Sequence, residues 1–123
     1  RADGVPCLAV ATIAYTAIEY ICRDESIPGP LWWTTLDDVL DEGDHLHVSM
    51  VHLSDGTPYI VSYEETAGAL QVSTRHEGTW NTITIDTIDS AAWKPTIAVD
   101  SLDRVHIGYY SYADNALHYA IGR

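Results

Sequence analysis

The sequence aligns with itself in long registers that need no gap. At an offset of 47 positions, residues 48–76 lie on residues 95–123, with turn residues over turn residues and apolar alternation over apolar alternation. The identities at this offset are Ser54/Ser101, Ile60/Ile107, Tyr63/Tyr110, Ala69/Ala116 and Leu70/Leu117. At an offset of 52, residues 3–25 lie on residues 55–77, and an insertion at residues 26–31 accounts for the difference. Self-similarity of this period predicts an array of equivalent supersecondary units.

Each unit reads as four short antiparallel strands, because runs of β-branched and aromatic residues alternate with links that carry the residues of tight turns. The second copy predicts strands at residues 48–52, 57–63, 69–75 and 79–86. Four antiparallel strands in about 40–50 residues are typical of a β-propeller blade. We therefore predict an all-β chain of about three blades, in residues 1–40, 46–89 and 94–123 of a single propeller segment. The alternative is a β-sandwich of about ten strands, which needs no repeat.

The last copy carries a recognisable motif. It consists of Pro95, Ala98, Asp100, Ser101, His106, Tyr109, Tyr110, Leu117, Tyr119 and Ala120. The motif resembles the repeat of a broad group of bacterial and archaeal β-propellers, P-S-x-A-x-D-S, then H-x-x-Y-Y-D, then L-x-Y-A. Ser111 departs from it, since an Asp is usual there, and the first copy lacks the aromatic pair. The resemblance implies a fold but no particular chemistry, because propellers host lectins, hydrolases, lyases and scaffolds alike.

One aromatic position of this motif recurs in the second copy and indicates a structural role. Tyr110 corresponds to Tyr63, and positions that repeat between units are usually packing positions. We therefore expect His106 and the pair Tyr109-Tyr110 to pack between blades.

The order of the predicted strands leaves both terminal blades unfinished. The first blade lacks its first strand and the last blade lacks its fourth. Three blades do not close a ring, and open sheet edges promote aggregation. We therefore expect the blades to be completed by other copies of the chain, or by other segments of a longer propeller. Two copies would supply about six blades, which lies within the natural range.

Charge and hydropathy argue against two classes of partner. The formal net charge is −12, with only six Lys and Arg, whereas a nucleic-acid site needs a basic surface. No apolar run reaches the roughly 20 residues that span a bilayer. We therefore predict neither a nucleic-acid nor a membrane partner, and expect a neutral ligand, a cation or a basic partner. The eight Tyr and four Trp suit ligand-facing rims, because each combines a large ring with a polar group.

Cys7 and Cys22 are placed to face each other across the first hairpin. If this hairpin turns at the position of its counterpart in the second copy, opposed residues have numbers that sum to 29, as 7 and 22 do. Opposed residues in a non-hydrogen-bonded pair come close enough for a disulfide. A disulfide would imply an oxidising compartment and thus an extracellular or periplasmic protein. The alternative is a pair of buried thiols.

Link residues at one end of the blades form the candidate ligand site. The links after the fourth strand and between the second and third strands emerge at the same end, where propeller ligands most often lie. The residues selected there are Glu64, Glu65, Trp93, Lys94, Tyr112 and Asp114. Other acidic and histidine residues of these links are Asp37, Asp38, Asp41, Glu42, Asp44, His45, His47, Asp86 and Asp89. Aromatic rings beside carboxylates could stack on a sugar and accept hydrogen bonds from its hydroxyls, so we expect a glycan or a protein ligand. The alternative is that these links are only solvated loops of an acidic protein.

The sequence predicts no cofactor. His45 and His47 have the spacing of residues on one strand face, but no third metal ligand is set by spacing. The acidic residues 37–44 lack the calcium-loop pattern, so a weak calcium site is left open without support.

Enzyme motifs are missing from the sequence, including the G-x-S-x-G elbow, the glycine-rich phosphate loop and H-E-x-x-H. The favoured function is therefore a non-enzymatic, lectin-like binding module. The runner-up is a hydrolase or lyase of a polysaccharide-like substrate that uses loop carboxylates at the propeller axis. A structural assembly domain is the third alternative.

Overall fold

The computed structural model describes residues 4–11, 17–23, 26, 33–40, 45–87 and 92–122, and in this part of the chain all regular structure is β-strand. The strands are β1 Cys7–Ala11, β2 Ile18–Arg23, β3 Trp33–Leu40, β4 His45–His52, β5 Pro58–Glu64, β6 Ala69–His76, β7 Thr79–Thr87, β8 Ala92–Val99, β9 Val105–Ser111 and β10 Ala116–Gly122. The same part of the chain offers no helix long and apolar enough to traverse a membrane.

The strands form three sheets in sequence order. The first sheet has the order β1-β2-β3, the second β4-β5-β6-β7 and the third β10-β9-β8, and all strand pairs are antiparallel. The prediction of an all-β fold with antiparallel sheets is confirmed. The propeller arrangement itself stays a prediction.

Strand β4 begins before its predicted start at residue 48, and β8 begins before the predicted start of the third blade at residue 94. Each of the two strands contains an irregularity near its start. The pairing of β4 with β5 shifts between Leu46 and Ser49, and that of β8 with β9 shifts between Trp93 and Thr96. Inside these shifts His47 and Lys94 have left-handed backbone, with φ of 54° and 52°. A left-handed residue interrupts the alternation of side chains along a strand, which explains why β4 was predicted to start only after His47.

Other left-handed positions also fall at the sequence offsets. Gly56 and Asp103, 47 positions apart, have φ of 88° and 56°, while Gly68 and Asn115, at the same offset, have φ of 61° and 59°. Gly4, 52 positions before Gly56, has φ of 79°. The offset residues therefore share a backbone path even where Gly is replaced, and Asp and Asn are the residues that tolerate this conformation best after Gly.

The second sheet is buried on both faces. On one face Val61, Tyr63, Leu70 and Val72 pack against the third sheet, which contributes Ile97, Val105, Ile107 and Tyr109. On the other face Ile60 packs against Ile18, Tyr20 and Cys22 of the first sheet. Adjacent residues of a strand point to opposite faces, so Ile60 and Val61 contribute to different cores. Strand β5 thereby contributes to the core on each side of the second sheet.

Polar contacts also join the layers. The Tyr20 hydroxyl lies 3.0 Å from His52 Nε2, linking the first sheet to the second. The Tyr109 hydroxyl donates to Asp86 Oδ2 over 2.6 Å, linking the third sheet to the second. Burial raises the pKa of Tyr109 to about 12, and the acceptor Asp86 adds to the shift.

A disulfide joins Cys7 and Cys22 across β1 and β2. The register of the pair places Cys7 opposite Cys22 and Leu8 opposite Ile21, so that opposed residue numbers sum to 29. Cys22 is buried and belongs to the core between the first two sheets.

The outward faces of the first and third sheets carry exposed apolar side chains. On the third sheet Leu117, Tyr119 and Ile121 are 80%, 63% and 54% exposed. On the first sheet Leu8 and Val10 are 47% and 38% exposed. The described chain therefore has an apolar face at each end of its stack of sheets.

Candidate functional site

The predicted link residues lie at one end of the sheets. His45, at the start of β4, pairs with Glu64, at the end of β5, and Ala92 at the start of β8 pairs with Ser111 at the end of β9. The starts of β4 and β8 are therefore at the end of the sheets where the β5–β6 and β9–β10 turns lie. We call this end the link rim and define it by residues 45–47, 64–68, 92–94 and 111–115.

An open depression on the third sheet brings two of the predicted residues together. Lys94 and Tyr112 both line it, along with Thr96, Gly108, Tyr109, Tyr110 and Leu117. Tyr112 is 51% exposed, and its ring meets that of Tyr110 edge-on at a centroid distance of 5.0 Å and an angle of 83°. The Tyr110 hydroxyl donates in turn to Asn115 Oδ1. Tyr112 is thus an exposed ring with a defined orientation.

Asp114 lies in the β9–β10 turn beside Tyr112 and is paired with a histidine. His118 Nε2 lies 2.7 Å from Asp114 Oδ2. This hydrogen bond holds the pKa of Asp114 below its usual value. The His118 ring stacks on Tyr109 at 5.3 Å and 29°. Asp114 is therefore ionised and half-exposed. Its carboxylate is held by His118, whose ring in turn stacks on the core residue Tyr109.

Glu64 has a structural role at the same end of the second sheet. Its carboxylate is buried and accepts hydrogen bonds from the backbone N–H groups of Thr66 and Ala67, at 3.0 and 2.6 Å. These bonds pair two backbone N–H groups of the β5–β6 turn with a side-chain acceptor, as happens in Asx-type turns. The adjacent Glu65 is exposed. Of the two glutamates selected from the sequence, only Glu65 presents its side chain to solvent.

For some selected residues the structure describes only the backbone, and others lie outside the described ranges altogether. The Trp93 backbone pairs with Tyr110 in β8, but its side chain lies outside the described residues. Asp37 and Asp38 lie in β3, and their side chains are likewise outside them. The remaining acidic link residues outside the described ranges are Asp41, Glu42, Asp44 and Asp89.

A metal site is not formed by the residues that the structure describes. Within them, no group of three or more His, Cys, Asp or Glu side chains could hold an ion. The left-handed backbone of His47 also interrupts the alternation of side chains that would place His45 and His47 on one face of the strand. The absence of a cofactor stays a prediction.

A second polar network, at the opposite end of the third sheet, was not selected from the sequence as a site. Asp100 Oδ1 accepts from the backbone N–H groups of Leu102 and Arg104, and its Oδ2 contacts Arg104 Nε at 2.6 Å and His106 Nε2 at 3.1 Å. The backbone N–H of Arg104 is the largest of the causes that hold the pKa of Asp100 well below its usual range. His106 Nδ1 also bonds the Tyr119 hydroxyl.

Two residues of this network, Asp100 and His106, belong to the motif of the last copy. His106 was predicted to pack between blades. The structure instead places His106 in a hydrogen-bonded network with Tyr119, within its own sheet. Of the tyrosine pair, Tyr109 is in the core between sheets and Tyr110 faces the open depression.

Comparison with known proteins adds no assignment: the chain matched no protein-family model and no curated protein.

Proposed function

We propose that the chain is part of a β-propeller and serves as a non-enzymatic binding module for a carbohydrate, held at the link rim of the third sheet. The observation that carries the ligand proposal is the exposed, oriented ring of Tyr112 beside Lys94 in one depression. The fold and the ligand are independent parts of the proposal, because either could hold without the other.

Three features support the propeller. The sheets follow one another in sequence and pack face to face, with the second between the first and third. Strand β4, at one edge of the second sheet, contacts both β1 and β8, as expected for strands near a common axis. Left-handed residues recur at the offsets seen in the sequence, for example at His47 and Lys94.

The chemistry of the depression suits a sugar ring. The apolar C–H face of a pyranose stacks on an aromatic ring, and Tyr112 offers such a ring at a rim open to solvent. Lys94 lines the same depression, and its ammonium can donate to ring hydroxyls. An exposed aromatic ring with such a donor recognises hydroxyl-rich ligands without requiring a fixed charge on them.

The disulfide supports an extracellular or periplasmic location. Disulfides persist in oxidising compartments and are rare in the cytosol. The acidic composition, with 18 Asp and Glu against six Lys and Arg, is compatible with a ligand that carries no strong negative charge. A secreted protein that binds neutral glycans satisfies both conditions.

A glycan array, followed by calorimetric titration of the glycans retained, tests the ligand proposal. We expect Tyr112→Ala to weaken binding by at least about tenfold, which corresponds to about 1.4 kcal/mol, because the stacking surface is lost. Leu102→Ala is the matched control, because Leu102 is a 71% exposed apolar residue in the turn at the opposite end of the sheet. The control should bind as the unmodified chain does.

Two outcomes would contradict the ligand proposal. One is an array on which the folded chain retains no glycan. The other is a glycan that the Tyr112→Ala variant binds with unchanged affinity, which would move the site away from the link rim.

A further inference from the structure

The two internal interfaces between sheets use the same set of sequence positions. The second sheet meets the third through Val61, Leu70 and Val72. The first sheet meets the second through Ala9, Ile18 and Tyr20, which lie 52 positions earlier than those three residues. The first and the second sheet thus each pack one face on the sheet that follows in sequence, and we call this face the donor face.

On the third sheet the donor face is uncovered. The positions 47 residues after Val61, Leu70 and Val72 are Gly108, Leu117 and Tyr119. Gly108 pairs with Tyr119, and both lie on the outward face with Leu117. Leu70 is fully buried, whereas Leu117 is 80% exposed. Of these two corresponding leucines, the one on a covered face is therefore buried and the one on an uncovered face is exposed.

The opposite, acceptor face is uncovered on the first sheet. The acceptor face is the face that packs on the preceding sheet. In the second sheet it includes Ile60 and in the third sheet Ile107, and these two residues are buried and 47 positions apart. The position 52 residues before Ile60 is Leu8, which is 47% exposed. Val10 is exposed on the same face of β1. An apolar acceptor face thus lies at one end of the stack and an apolar donor face at the other.

We propose that the donor face of the third sheet docks onto the acceptor face of the first sheet in a second copy of the chain, in the register of the two internal interfaces. The occupant is a second copy because the chain already contains two interfaces of this kind, and it also exposes one donor face and one acceptor face. Contact between unlike faces is heterologous, and it closes a ring only where the rotation from one copy to the next closes; otherwise it extends into a filament. Two copies joined in this way would bring together about six sheets, which is a natural propeller size.

The docking proposal rests on the proposed propeller geometry, but not on carbohydrate binding. Glu65 corresponds to Tyr112 at the offset of 47, and it is exposed although the third sheet packs on the second. By the same geometry Tyr112 stays accessible at the edge of the interface when a second copy docks. Gly108 and Leu117 of the donor face also line the depression, so a docked copy would cover part of it. Glycan binding is therefore measured in the Leu8→Glu variant, which keeps the depression unchanged and should not associate.

Sedimentation velocity and native mass spectrometry of the 123-residue chain test the proposal. We expect a reversible dimer whose population rises with protein concentration, and with salt, because each copy carries a net charge of −12 and salt screens their repulsion. Leu117→Glu on the donor face and Leu8→Glu on the acceptor face should each weaken the dimer by more than about tenfold. Leu102→Glu, which introduces the same charge at an exposed leucine outside both faces, should leave it unchanged.

Mixing the two interface variants distinguishes unlike faces from a self-complementary patch. A Leu117→Glu copy keeps a normal acceptor face and a Leu8→Glu copy keeps a normal donor face, so their mixture retains one intact interface per pair. We expect the mixture to associate where neither variant does alone. Both substitutions replace exposed side chains, and circular dichroism checks that β structure is kept.

Three results would overturn the proposal. They are a chain that stays monomeric at submillimolar concentration with full β signal, a dimer that survives both Leu117→Glu and Leu8→Glu, and a mixture that associates no better than its components. Tyr112→Ala should leave association unchanged, so loss of glycan binding in that variant bears on the ligand and not on docking.

Discussion

Removing the disulfide between Cys7 and Cys22 should destabilise the chain by a calculable amount. The two residues are 15 positions apart. On the chain-entropy model, the cross-link of a loop of this length stabilises the folded state by about 3 kcal/mol at 25 °C, because it restricts the unfolded chain. At a urea dependence of about 2 kcal/mol per M, this loss lowers the unfolding midpoint by about 1.5 M. Cys7→Ala/Cys22→Ala is the suitable variant, because Ala introduces no hydroxyl at the buried Cys22.

The assay is equilibrium urea unfolding followed by circular dichroism, with and without a reductant. Oxidised wild type should unfold at the highest urea concentration, and reduced wild type should approach the double variant. The variant itself is the control, since a reductant should not shift its midpoint. Two free thiols in a non-reducing mass measurement, or a wild-type midpoint that ignores the reductant, would refute the reasoning.

Three other changes test the packing and the shifted ionisable groups. Ile60→Ala should cost about 2–5 kcal/mol in urea unfolding, because Ile60 is fully buried between two sheets, whereas Ile83→Ala, at a 54% exposed position, should cost much less. The pKa of Tyr109 is raised from 10.0 to about 12, so stability should be retained below pH 10 and fall as the pH rises toward 12. Tyr109→Phe should remove that alkaline loss in urea titrations, and an unchanged loss would contradict the assignment. The pKa of Asp100 is held below its usual 3.8, so its contribution should be present above that pH and be lost as the pH falls below it. Asp100→Asn should flatten this acid limb, measured by circular dichroism against pH, and an unchanged limb would count against it.

Much of the strand layout was predictable, because it depends on local residue patterns. The predicted ends of β5, β6 and β7 lie within one residue of those observed. The exceptions, β4 and β8, start earlier because left-handed His47 and Lys94 lie inside a strand irregularity. Hydrogen bonding to the neighbouring strand, which sequence patterns do not report, continues the ladder across these positions.

The candidate site was predictable only in part. The strand order placed the two kinds of link at one end, but it could not distinguish Glu64, whose carboxylate bonds the backbone of its own turn, from the exposed Glu65. Nor could it show that Lys94 and Tyr112 line one depression. These residues are far apart in sequence, and their proximity follows from the pairing of β8 with β9.

The sequence by itself determined the all-β class and the hairpin register that opposes Cys7 to Cys22, because both follow from local alternation and turn residues. Only the tertiary structure decided which of the positions 47 residues apart are buried. Leu70 and Leu117 are the same residue at corresponding positions, yet one lies in a core and the other is solvent-exposed. Burial depends on whether another sheet covers the face, and that is a property of the neighbouring layer rather than of the strand that carries the leucine.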